Sequence, residues 1–150
     1  MNFKCKTGTM KIYVSRIQGI EKECRIFREL FQKYHGDMAE WYLKDYFPKG
    51  CCKEVTNTLG QYLYDKGYGI WDYVWGEAII CGKWYSHAWL QKENIVCDLT
   101  LDQFGNSFPE VYVGNEKRFH LIFAIQGRYQ YCLNDIERDV YRILQSHIDI

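Results

Sequence analysis

Apolar positions follow a helical period in the first half of this chain and a strand period in much of the second. Across residues 21–46, Ile26, Leu30, Phe31 and Tyr34 recur at helical spacing, as do Met38, Trp41, Tyr42 and Tyr46. His35-Gly36-Asp37 should divide this run into two helices, since Gly is costly inside a helix and Asp37 can cap the second. Phe47-Pro48 stops it, because the residue before proline is pushed out of the α region. Gly50 then permits a tight turn. Residues 52–66 predict the next helix, with Cys52, Val55, Leu59, Tyr62 and Leu63 on one stripe and Gly67 as the C-terminal cap. Ahead of all this, residues 10–14 read as a short strand or extended arm.

Past Gly67 the pattern turns to strands. Residues 70–80 are rich in Tyr, Val, Trp and Ile, and Cys81-Gly82-Lys83 is a turn. Residues 84–90 and 95–101 predict two more strands, joined by the polar turn Gln91-Lys92-Glu93-Asn94. Residues 105–109 read as loop, and 111–113 and 119–124 as further short strands. A last helix spans 133–147, with Ile136, Val140, Ile143 and Leu144 on one face. Helices first, then an antiparallel sheet, then a helix make an α+β domain spanning residues 1–150.

Composition narrows the function. At 150 residues and 47% hydrophobic, the chain can bury a core without disulfides. Aromatics reach 17%, more than a core needs, which favours a groove or a partner surface. Lys and Arg number 19 against 19 Asp and Glu, so no basic excess points to nucleic acid. No apolar run approaches a membrane span, and residues 1–15 lack the apolar core of a signal peptide. Seven cysteines, an odd number, fit a reducing cytoplasmic setting in which most are small buried hydrophobes.

The candidate chemistry sits at three places. Cys52 opens a helix, where free N–H groups and the helix dipole stabilise a thiolate and can hold an oxyanion. Its rival is Cys51, which lies one step around the axis, off the apolar stripe. His87 lies in a strand, and a four-residue turn at 91–94 would place it directly opposite Asp98. Opposed residues share a face, so the carboxylate could fix the imidazole tautomer and leave the other nitrogen for a thiol. A two-residue turn at Glu93-Asn94 would instead put Thr100 opposite His87. Asp102 competes for the carboxylate role, although it more readily begins a turn. His120 is an alternative base, ranked below His87 because no carboxylate pairs with it by such simple geometry. Zinc ligands drawn from Cys51, Cys52, His87 and Cys97 or Cys81 lack the usual spacing, so neither metal nor other cofactor is expected.

Phe47-Pro48-x-Gly50-x-Cys52, Leu59-Gly60-x-Tyr62-Leu63, Ser86-His87-Ala88-Trp89-Leu90 and Asp98-x-Thr100-x-Asp102-Gln103-Phe104 look like segments of a group of small bacterial and phage-borne proteins. The order of Cys at a helix start, His on a strand and Asp on the next resembles the transglutaminase-like branch of the papain-like cysteine enzymes. That branch includes the arylamine N-acetyltransferases. The resemblance covers residues 47–123. It implies a papain-like core and assigns Cys52 as nucleophile, His87 as base and Asp98 as orienter. The activity it implies is cysteine-dependent acyl transfer on an amide or ester, as a peptidase, amidase, deamidase or transglutaminase-type enzyme. The partner would be a protein or peptide-like substrate, held by Trp89, Trp84 and Cys51. A catalytically silent binding module, or a toxin or effector domain, are alternative uses of the same fold. Two departures stand out. Lys53 follows the nucleophile where a small residue is expected, and Gln32 is the nearest upstream Gln for an oxyanion donor.

Overall fold

Residues 3–148 are described by the structure, a computed structural model. Its first element is a long helix, α1 (Phe3–Tyr34), followed by a 3-10 turn (His35–Asp37) and the short α2 (Trp41–Tyr46). The break at His35-Gly36-Asp37 falls where the sequence places it. The reading of residues 10–14 as a strand is corrected, since they continue α1. Met10, Ile12, Tyr13 and Val14 are all exposed, so no buried face tells one period from another. Helix already formed around the buried Ile20, Cys24, Phe27 and Phe31 propagates through them. The buried stripe also lies a step away from the expected one, with Ile26 facing out.

The second half begins with α3 (Cys52–Asp65), then β1 (Asp72–Ile80), β2 (Lys83–Lys92), β3 (Ile95–Asp98), β4 (Tyr112–Asn115) and β5 (Ala124–Gln130), closing with α4 (Asp135–Gln145). All five strands form one antiparallel sheet in the order β4-β3-β2-β1-β5. The fold is therefore α+β. Residues 119–124 are not a strand as expected: a 3-10 turn (His120–Ile122) occupies most of them, and the strand starts at Ala124. At α4, Asn134 and Glu137 form a reciprocal capping box that sets the helix start. None of the described helices is long and apolar enough to cross a membrane.

Strand alternation sends side chains to two different cores. Leu90, Ile95 and Cys97 join the main core with α1, α3 and α4. Val74, Trp89, Val96 and Tyr112 point the other way, into a smaller core with Leu101 and Phe123, against which Phe104, Phe108 and Phe119 pack. The helix α3 is the centre of the main core, buried on nearly every side from Glu54 to Leu63. All the cysteines whose side chains are described are free: Cys24, Cys51 and Cys97 are buried, Cys52 is partly buried, and Cys81 and Cys132 are exposed. The Cys5 side chain lies outside the described residues.

Gly60 lets Tyr131 lie against α3. A Cβ there would meet the Tyr131 ring at 2.6 Å from Cγ and 2.9 Å from Cδ1. Gly60→Ala gains about 1 kcal/mol of helix propensity but forces overpacking of about 1–3 kcal/mol. Urea denaturation is expected to show a net loss of up to about 2 kcal/mol; an increase in stability would mean that Tyr131 moves aside freely.

Candidate active site

The segment before α3 is anchored by aromatic contacts. The Phe47 ring stacks on Phe31 at 5.0 Å, and the Arg28 guanidinium lies 4.8 Å from its centroid. Gly50 has a φ of +70°, which Gly adopts without strain, and turns the chain into α3. The two adjacent cysteines then separate. Cys51 is the N-cap residue and is 0% exposed, its thiol directed at the Tyr42 and Lys49 carbonyls, each at 3.4 Å. Burial, followed by the charges of Glu54 and Cys52, pushes that thiol up to about 12. Cys52 is the first residue of α3 and is partly exposed. Its N–H is among those that an α-helix leaves without an intrahelical acceptor.

His87 and Asp98 meet, but not by the expected register. The turn between β2 and β3 has two residues, with Glu93 at a φ of +55°, and Leu90 pairs with Cys97 rather than opposing Ile95. Asp98 opposes Tyr112 on β4. The slip is two residues, and side-chain direction has a period of two, so Asp98 still faces the same side as His87. His87 Nε2 lies 2.6 Å from Asp98 Oδ2, both residues fully buried. The ladder with β3 covers only Leu90 to Lys92. Next to His87, the loop beyond β3 stands beside β2 instead, and Gln103 Nε2 lies 3.1 Å from His87 Nδ1. The Cys52 thiol lies close enough to contribute to raising the His87 imidazole.

A second histidine joins the carboxylate. His120 Nε2 lies 2.7 Å from the same Oδ2, while the Thr100 N–H donates to Oδ1 at 3.0 Å. The premise that no carboxylate pairs with His120 is thus corrected: its partner comes from a distant strand, which local strand pairing could not reveal. Burial works to raise the Asp98 carboxyl. The His87 charge and the hydrogen bonds from His120 and His87 overcome it and hold Asp98 well below the usual carboxylate range. For His87, burial works to lower the imidazole. The Asp98 charge and hydrogen bond, aided by Cys52, raise it above its ordinary range.

Asp102 takes no part in holding His87. It receives both terminal nitrogens of Arg28, at 2.8 and 2.9 Å, and the same guanidinium also donates to the Leu99 carbonyl. This bidentate pair ties α1 to the loop that carries Thr100 and Gln103. Trp89 is 1% exposed and donates to Gln91 Oε1 at 3.1 Å, so it walls the site from behind. The expectation that Trp89 and Cys51 contact substrate is corrected, because neither offers surface. Trp84 is 63% exposed beside the β1–β2 turn, opposite Ile79, which is 75% exposed. Gln32 is exposed on α1. Arg28 and Gln103 are residues that the sequence left without a role here, and His120, expected only as an alternative base, is held to Asp98.

His87, Asp98 and His120 supply donor atoms of the kind zinc takes, within 4.8 Å of one another. At 2.6 and 2.7 Å, however, the Nε2–Oδ2 contacts are N–H···O bonds that use the atoms a cation would need. Comparison of the chain with family models, curated proteins and solved structures finds no match.

Linkage gives each half of the pair its own pH arm. Asp98 is depressed on folding, so its contribution is present above the unfolded carboxyl value of about 4 and is lost as pH falls below it. His87 is raised on folding, so its contribution is full below about 6.5 and is lost as pH rises beyond that. Urea denaturation from about pH 3 to 9 should show both arms. Asp98→Asn is expected to flatten the acid arm and His87→Gln the alkaline arm; arms unchanged in both variants would contradict the pairing.

Proposed function

We propose that this protein is a cysteine-dependent acyl-transfer enzyme of the papain-like, transglutaminase-like kind, with Cys52 as nucleophile, His87 as base and Asp98 as orienter. One observation carries the reading: His87 gives Nε2 to a buried carboxylate, meets Gln103 at Nδ1, and has its imidazole raised in part by the Cys52 thiol at a helix start. Asp98 favours the tautomer with hydrogen on Nε2, so Nδ1 takes the Cys52 proton once its contact with Gln103 Nε2 opens. The thiolate attacks the carbonyl of a protein or peptide-like amide or ester. The carbonyl π electrons move to oxygen, and the free N–H at the start of α3 is placed to bind that oxyanion. Collapse of the adduct breaks the bond to the leaving group, which takes the proton from His87. Water or an amine then resolves the acyl-enzyme, giving hydrolysis or transfer. Trp84 and Ile79 form an exposed apolar ledge on the face of the sheet that carries α3, suited to a side chain of such a substrate. The reduced thiols and balanced charge suit a cytoplasmic enzyme without a nucleic-acid partner.

Limiting iodoacetamide near pH 6, where an ordinary thiol is less than about 1% ionised, tests the assignment. Cys52 should label at least about tenfold faster than Cys81 and Cys132, whose exposure makes them internal references. His87→Ala should remove that advantage without altering the references, and Asp98→Asn should reduce it less. If Cys52 labels no faster than Cys81, or equally fast in the His87→Ala variant, the proposed dyad is wrong.

A further inference from the structure

Two imidazoles share one carboxylate oxygen, but their other ring nitrogens differ. His87 Nδ1 meets Gln103, and the Cys52 thiol contributes to raising that imidazole. His120 Nδ1 is buried and has no partner among the described residues. The His120 ring is held on several sides. Its centroid is 4.7 Å from that of Trp89 and 5.4 Å from that of Tyr112, and its backbone N–H bonds to the Glu116 carbonyl at 3.2 Å. Among the described residues, the only polar contact of its side chain is the Nε2–H bond to Asp98 at 2.7 Å.

From this asymmetry we propose that His120 is a positioning residue: a second imidazole that fixes the Asp98 carboxylate and shares its charge, so that His87 alone carries the proton. The inference rests on the acyl-transfer reading of the same site. With Nδ1 enclosed, His120 cannot relay a proton to Cys52; it can only donate. Its donation has two physical effects. It helps hold Oδ2 in place, since two donors bind that oxygen and the Thr100 N–H binds the other. It also draws charge from the carboxylate, which weakens the grip of Asp98 on a protonated His87. A base must release its proton to the leaving group as well as accept it, so a moderated carboxylate suits both steps. The titratable groups facing this cluster are Cys52 from α3, His87 from β2, Asp98 from β3 and Tyr112 from β4.

Nitrogen-15 NMR of the wild-type protein, labelled at histidine, tests the first half without any variant. His120 is expected as the Nε2–H tautomer with an unprotonated Nδ1, and both His87 and His120 should show slowly exchanging, far-downfield Nε2 protons. A His120 found as the Nδ1–H tautomer would overturn the proposal. The second half is tested by titrating His87. His120→Phe removes the donor and should raise the pH at which His87 loses its proton by about one unit. His120→Gln, which retains an N–H, should restore much of that shift. Selective iodoacetamide labelling of Cys52 should survive in both variants. An unmoved His87 titration in the folded His120→Phe protein would reduce His120 to packing. Loss of Cys52 selectivity in that protein, to the extent seen in His87→Ala, would make His120 a base itself. Absence of selective labelling in the wild type would sink the acyl-transfer reading, while the tautomer and titration results would still decide what His120 does to Asp98.

Discussion

A buried carboxylate must be supplied with hydrogen-bond donors, and the second core of this protein is built around meeting that need at Asp98. An isolated ionised carboxyl in such surroundings would take up a proton instead. Here three segments converge on it: the loop just beyond β3 gives the Thr100 N–H, β2 gives His87, and the 3-10 turn before β5 gives His120. Trp89, Tyr112, Phe104 and Phe123 surround the group and keep it dry. Low local dielectric makes each of these bonds stronger and each missing one more costly, so the cluster holds its geometry as a unit.

The sheet keeps two environments apart, and its β2–β3 ladder is open beside His87. The helices, including α3 with Cys52 at its start, pack on one face. Asp98 and Trp89 belong to the other. The break comes from the shortness of β3, whose ladder with β2 stops at Leu90. Past that point the neighbour of β2 is a loop, and the Arg28–Asp102 pair secures that loop to α1. Arg28 also lies against Phe47, just ahead of the turn into α3. One guanidinium thus braces both approaches to the site: the segment leading to Cys52 and the segment carrying Gln103.

Much of the layout was legible because it depends on local rules. The stop at Phe47-Pro48 and the helix opening at Cys52 follow from residue types at fixed offsets. Other features were hidden for physical reasons. Glu93 takes a positive φ that its residue type does not announce, so the four-residue turn is favoured from the residues over the two-residue Glu93-Asn94 turn that the structure has. Residues 10–14 have no buried face and so no period to read. The pairing of His87 with Asp98 survived the wrong register because a slip of two residues leaves faces unchanged.

What the sequence by itself determined is whatever neighbouring residues decide among themselves: the α+β order of elements, the helix that starts at Cys52, and the common face of His87 and Asp98. Only the tertiary structure decided the rest. It turned Cys51 into the core while leaving Cys52 partly exposed, and it committed Asp102 to Arg28, 74 positions away. It also brought His120 to a carboxylate 22 positions distant. Those choices arise where a buried charge or thiol must find partners, and the partners are supplied by chain segments that no local pattern links.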